Sequence, residues 1–176
     1  MIILLNGPLG IGKSTLAEAL TESIDGCVML DGDYLVAVNP PPPDEVDYLH
    51  AIVALLIGHH RGLGYRHFVV NHLWRTPSEL ADLRRRLLGV DSEADIRCFL
   101  LVLPLDENLR RIARRQESRA IDEQEFEQRA VLEERQALFG SENESLGTRF
   151  DVSRAPDELV LALLSELRIP GVSLTR

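Results

Sequence analysis

The stretch Gly7-Pro8-Leu9-Gly10-Ile11-Gly12-Lys13-Ser14-Thr15 carries residue types whose spacing suits phosphate chemistry. Gly7, four intervening residues and then Gly12-Lys13-Ser14 spell a P-loop. In such a loop the glycines Gly7, Gly10 and Gly12 let backbone N–H groups turn toward phosphate, the lysine reaches the β- and γ-phosphates, and the serine hydroxyl ligates Mg²⁺. Thr15 continues the motif into a helix. Lys13 is the sole lysine among 19 Lys and Arg residues. A chain so biased toward arginine keeps a compact ammonium on a flexible stem where a planar guanidinium would not serve.

Phosphoryl transfer also needs metal placement, charge neutralisation and a group that orients or deprotonates the attacking hydroxyl. Asp31-Gly32-Asp33 can supply two of these, with Asp31 and Ser14 as metal-site candidates and Asp33 as the acceptor-facing carboxylate. A second cluster, Asn71, His72, Trp74 and Arg75, offers an amide, a titratable ring, a stacking surface and an anion clamp, and is the expected acceptor site. Between Leu109 and Asp122, Arg111, Arg115 and Arg119 recur every four residues and form one basic stripe if the helix persists.

These residues need a scaffold, and strand and helix signals alternate to provide one. Met1 to Leu5, Cys27 to Leu30, His67 to Asn71, Ile96 to Leu103 and Arg149 to Val152 read as short buried strands. The apolar residues Leu16, Ala17, Leu20 and Ile24 fall at helical spacing after Lys13, so bound phosphate would meet a helix N-terminus. Val46, Leu49, Val53, Leu56 and Ile57 mark another helix. Thr76-Pro77-Ser78-Glu79 combines an N-cap, a proline at N1 and a capping-box glutamate, with Gly89 as the expected stop. Asp106 is expected to cap the next helix, Asp122 and Glu125 to begin another that ends near Gly140, and Pro156 to open the last. Five short strands with helical crossovers predict a mostly parallel sheet covered on both faces, with ligands at its carboxyl edge.

Length and composition bound the alternatives. With 176 residues, 45% of them hydrophobic, the chain suffices for a single well-packed domain. Its net charge of −9 argues against duplex nucleic acid as a partner. No charged leader or long apolar run is evident, so a cytoplasmic protein without a membrane partner is expected. Cys27 and Cys98 read as buried free thiols. His59 and His60 suit the C-terminal end of a helix, Arg84-Arg85-Arg86 a solvated helix face, and Pro40-Pro41-Pro42-Pro43 a stiff connector or a wall of the substrate pocket.

With the P-loop near the start, an aspartate pair after the second strand and an arginine-rich segment before the last, the chain resembles the small P-loop kinases. These include shikimate, gluconate, adenylylsulfate and nucleoside monophosphate kinases. The resemblance implies a three-layer α/β/α P-loop NTPase fold with a five-stranded, mostly parallel sheet, one kinase-like domain over residues 1–176 and a helical lid at about 115–125. It implies ATP and Mg²⁺ as cofactors, Asp31 holding the metal through water, and Asp33 facing the acceptor hydroxyl. A lid arginine, Arg119 or Arg115, would stabilise the transferring phosphoryl group beside Lys13, Arg110 or Arg111 would stack on adenine, and Arg154 in Ser153-Arg154-Ala155-Pro156 would pass the base. The third strand is expected to end in Asn71, without the carboxylate that motors and GTPases carry there, which favours a kinase using the aspartate pair.

The expected function is transfer of the γ-phosphoryl of ATP to a hydroxyl of a small molecule, a metabolite or an antibiotic. One alternative acceptor is a polynucleotide 5′-hydroxyl or a nucleotide. A reading of another class is an ATP-binding regulatory module without catalysis. The oligomeric state is open.

Overall fold

The computed structural model describes residues 1–115, 121–140 and 146–168, apart from the side chains at 115 and 121–125. Five strands, β1 (Ile2–Asn6), β2 (Cys27–Asp31), β3 (His67–His72), β4 (Ile96–Val102) and β5 (Thr148–Asp151), form one sheet in the order β2-β3-β1-β4-β5. Every pairing is parallel, so the sheet is wholly rather than mostly parallel. Helices α1 (Lys13–Ser23), α2 (Gly32–Leu35), α3 (Glu45–Gly62), α4 (Pro77–Val90), α5 (Leu105–Arg115), α6 (Ile121–Phe139) and α7 (Pro156–Leu167) make the connections.

Residues of β1 alternate between two cores, as the two-residue period of a strand requires. Ile3 and Leu5 pack with Leu16, Leu20, Leu163 and Leu167 on the α1 and α7 side, while Ile2 and Leu4 pack with Leu49, Val53, Leu83 and Leu87 on the α3 and α4 side. Burial on both faces explains why the strands read as unbroken apolar runs. The parallel order leaves the ends of β1, β2 and β3 side by side, with Asn6 opposite His72 and Asp31 opposite Asn71. Every sequence-predicted group that follows a strand therefore lies along one edge.

Local chemistry fixes the helix starts. Thr76 accepts a hydrogen bond from the Glu79 N–H at 3.2 Å, and the Glu79 carboxylate returns to the Arg75 and Thr76 N–H groups at 2.7 and 3.4 Å. The predicted capping box is thus complete. Several boundaries move. Helix α4 runs through Gly89 to Val90, β3 extends one residue past Asn71 to His72, and Asp106 lies within the first turn of α5 instead of capping it. Asp31-Gly32-Asp33 opens the short helix α2, for which the Asp31 carboxylate is the N-cap acceptor from Asp33 N–H at 3.0 Å. Cys27 and Cys98 are free, and burial pushes the Cys98 thiol up to about 12, which leaves it unreactive. Among the described residues no helix is long and apolar enough to cross a membrane.

Thr76→Ala should cost about 1 kcal/mol of stability, the usual worth of an N-cap, and Leu83→Ala, fully buried between α4 and the sheet, about 2–5 kcal/mol. Urea unfolding followed by circular dichroism checks both values.

Candidate active site

The phosphate-binding turn joins β1 to α1. Gly10 and Gly12 adopt φ values of 71° and 107°, in the left-handed region that favours glycine. A Cβ on Gly10 would also lie 2.4 Å from the Ile112 side chain of α5. Gly12 is the N-cap of α1 and contributes no side chain, and the first turn of α1 holds no acidic residue. The positive end of that helix is therefore left for an anion from outside. Lys13 curls back over the loop, its ammonium donating to the carbonyls of Gly7 at 2.8 Å and Pro8 at 3.2 Å.

Other elements hold this loop in place. The Leu9 N–H donates to Glu134 of α6 at 2.6 Å, while the Leu9 carbonyl accepts from buried Asn108 of α5 at 3.0 Å. Arg135 donates to Asn108 and to the Leu103 carbonyl, and Arg111 donates to the carbonyls of Ile11 and Val152 at 3.1 and 2.8 Å. Arg111 is thus a strut between the P-loop and the end of β5.

A compact polar cluster stands beside the loop. Ser14 donates to Asp31 Oδ2 at 2.9 Å, and Asn71 Nδ2 donates to the same oxygen at 2.8 Å. The Asn71 side chain is buried and its Oδ1 has no partner within the protein. The Ser14 hydroxyl and the Asp31 carboxylate are hard-oxygen donors of the kind that suit Mg²⁺ when phosphate and water complete its shell, and Asn71 holds the carboxylate through its amide nitrogen. Ser14 and Asp31 therefore meet as expected. Asn71, expected on the acceptor side, stands here in the Ser14–Asp31 cluster.

Asp33 projects from the first turn of α2, its side chain 73% exposed, with Oδ1 3.3 Å from His72 Nδ1. Contact with His72 holds its carboxyl below the usual carboxylate range, the Lys13 charge adds to the effect, and partial burial opposes it. Gly32 lets the two elements meet. A Cβ there would fall 2.6 Å from His72 Nδ1 and within 2.8 Å of two ring-proximal carbons. Trp74 departs from its expected role: it is 1% exposed, and its indole N–H donates to His50, so no face is open to a ligand.

Two cavities flank the loop. One, about 270 Å³, is lined by Gly12, Thr15, Arg111, Arg114, Arg154 and Pro156 among others, at the place expected for a nucleotide base. Arg111 and Arg154 come together here as anticipated, whereas Arg110 turns outward to Asp106 at 2.6 Å. Arg114 was not singled out in the sequence, although its three-residue spacing from Arg111 carried the signal. The other cavity, about 530 Å³, lies between Leu9 and Arg75 on one side and Phe126, Arg129, Glu133 and Glu134 of α6 on the other. The α6 residues follow no local motif, so nothing in the sequence flagged them. Of the lid arginines, Arg119 lies outside the described residues, as does the side chain of Arg115.

A glycine-rich turn between the central strand and an uncapped helix, with a serine–aspartate pair beside it, defines a P-loop domain with the fold of the small P-loop kinases. Residues 2–141 match the model of the AAA domain family, and the chain belongs to that family. A search of curated proteins found no match. Among solved structures the chain is similar to the tunicamycin resistance protein of Deinococcus radiodurans (16% identity, TM-score 0.67, covering 99% of this chain and 98% of that one). It is also similar to a gluconokinase of Sinorhizobium meliloti 1021 (20%, 0.65, 94% and 91%) and a shikimate kinase of Bacteroides thetaiotaomicron (15%, 0.60, 96% and 99%).

Gly32→Ala should force the His72 ring from Asp33 and cost about 1–3 kcal/mol through overpacking, while nucleotide affinity is retained. Thermal unfolding together with titration of a fluorescent ATP analogue tests this, and equal stability with an unmoved His72 ring would contradict it.

Proposed function

We propose that the protein is a Mg²⁺-dependent phosphotransferase that moves the γ-phosphoryl group of ATP to a hydroxyl of a small molecule. The observation that carries this reading is the meeting of Ser14, Asp31 and Asn71 within hydrogen-bond distance beside the P-loop, with an exposed Asp33 two residues further on, in the first turn of α2. Three of the similar folds bear the names gluconokinase, sugar kinase and shikimate kinase, which agrees with a hydroxyl acceptor.

In this reading the α1 N-terminus and Lys13 bind the β- and γ-phosphates, and the base lies between Arg111 and Arg154. Ser14 and Asp31 would hold Mg²⁺, which supplies charge neutralisation across the phosphate oxygens. The acceptor enters the larger cavity, where Arg75 and Arg129 orient it. Its hydroxyl approaches Asp33, which orients the attacking oxygen and accepts its proton. The lowered pKa keeps Asp33 ionised and makes it a weaker base, so positioning rather than basicity is its main contribution. Arg119 or Arg115 closes from the lid over the transferring group.

The deciding experiment is ADP formation from Mg·ATP against a panel of sugar acids, shikimate, nucleosides and their monophosphates, hydroxylated antibiotics and a 5′-hydroxyl oligonucleotide. One class of acceptor should stimulate the wild type and leave Lys13→Ala silent. Asp33→Asn should cut transfer at least about a hundredfold with ATP binding intact. Arg75→Ala should raise the acceptor KM about tenfold, as loss of one charged hydrogen bond does, and leave the KM for ATP unchanged. Tight ATP binding without stimulation by any compound would favour a nucleotide-sensing module.

A further inference from the structure

We propose that Asp82, His50 and Trp74 form a positioning relay that fixes His72, and through it Asp33, from the interface between α3 and α4. The proposal rests on the kinase reading of the cleft and adds residues that never touch it.

The relay begins at Asp82 on α4. Its carboxylate accepts from Arg85 and, at 2.8 Å, from Arg86 Nε, and Arg86 also reaches Asp47 on α3. That bridge locks the two helices side by side. Asp82 Oδ2 lies 2.9 Å from His50 Nδ1, and His50 Nε2 lies 3.2 Å from the Trp74 indole nitrogen. An indole N–H can only donate. His50 Nε2 must therefore accept, and its proton sits on Nδ1, directed at Asp82. A carboxylate that fixes an imidazole tautomer so that the other ring nitrogen can act on a third group is a recurrent orienting device.

Trp74 has little freedom left. Its N–H donates to Asn6 Oδ1 at 3.0 Å and its carbonyl accepts from Asn6 Nδ2 at 2.9 Å, so the last residue of β1 grips its peptide from both sides. With the peptide pinned and the indole N–H anchored, the ring stands edge-on to His72, centroids 5.7 Å apart at 74°. The His72 ring also abuts Gly32, leaving no room for a Cβ there. His72 is therefore held by the backbone of α2 and the indole, with Nδ1 toward Asp33. Without the His50 acceptor, the buried indole N–H has no partner and the ring turns to find one, which releases His72.

Trp74 is the sole tryptophan of the chain, so its indole N–H gives a single NMR signal. The test compares wild type, His50→Leu, which removes the acceptor, and His50→Gln, whose amide oxygen can replace it. Turnover of Mg·ATP is followed with whichever acceptor stimulates the wild type, or with water if none does. His50→Leu should lose solvent protection of the indole N–H, shift the His72 ring signals and lower kcat roughly 10- to 100-fold at constant KM for ATP, as loss of an orienting partner does. His50→Gln should restore the signals and most of the rate. If His50→Leu does not fold, Trp74→Phe replaces the indole by a phenyl ring without an N–H, and should move the His72 ring signals and the rate in the same direction. Wild-type kcat and unmoved His72 signals in the folded variant would overturn the relay, as would equal loss in His50→Leu and His50→Gln. A wild-type turnover no higher than that of Lys13→Ala would remove the kinase reading instead, and the His72 signals would then decide the relay alone.

Discussion

An uncapped helix N-terminus at the centre of the sheet is the constraint on which the site depends. Four N–H groups at the start of an α-helix have no partner within the helix, and most proteins satisfy them with a side chain. Here Gly12 contributes none and the first turn of α1 lacks an acidic residue. The loop before it must therefore keep a shape that only glycine tolerates, and it cannot be stabilised by filling the space a phosphate would occupy. Support comes from behind instead. Glu134, Asn108, Arg111 and the Ile112 side chain hold the loop from α5 and α6, so these two helices also set the geometry of the phosphate cradle.

The neighbouring carboxylates solve a related problem. Two aspartates two residues apart would repel if they shared an environment, yet they need different tasks. Asp31 spends its oxygens on Ser14, Asn71 and the start of α2, which fixes its carboxylate in place. Asp33 lies in the first turn of α2, exposed, with His72 against it. The start of a four-residue helix thus sets the two carboxylates apart: one is tied into a polar cluster beside the P-loop, the other is exposed.

How much of this was legible in the sequence follows from how local each signal is. The P-loop, the Thr76 capping box and the apolar strand runs are written in contiguous residues, and they stand where expected to within a residue or two. The contact of Asn71 with Asp31 could not be read locally because it depends on strand order: the two meet because β2 and β3 are adjacent and in that register. Trp74 after a strand looks like a stacking platform, yet its polar edge is satisfied by His50, 24 residues away, and its peptide by Asn6, 68 residues away. The α6 wall of the larger cavity was invisible for the same reason. Phe126 and Arg129 have no motif, and only tertiary packing brings them opposite Arg75.

Lys13, whose ammonium rests on the carbonyls of Gly7 and Pro8, has a consequence for covalent chemistry. Since every other Lys or Arg side chain is a guanidinium, amine-directed acylation of the side chains has a single target, and that target is the phosphate cradle. A surface rich in lysine would dilute such a reagent over many harmless positions. In this protein each acylated side chain is a disabled phosphate site, and bound nucleotide would be its natural shield, so the extent of lysine modification becomes a direct count of unoccupied molecules.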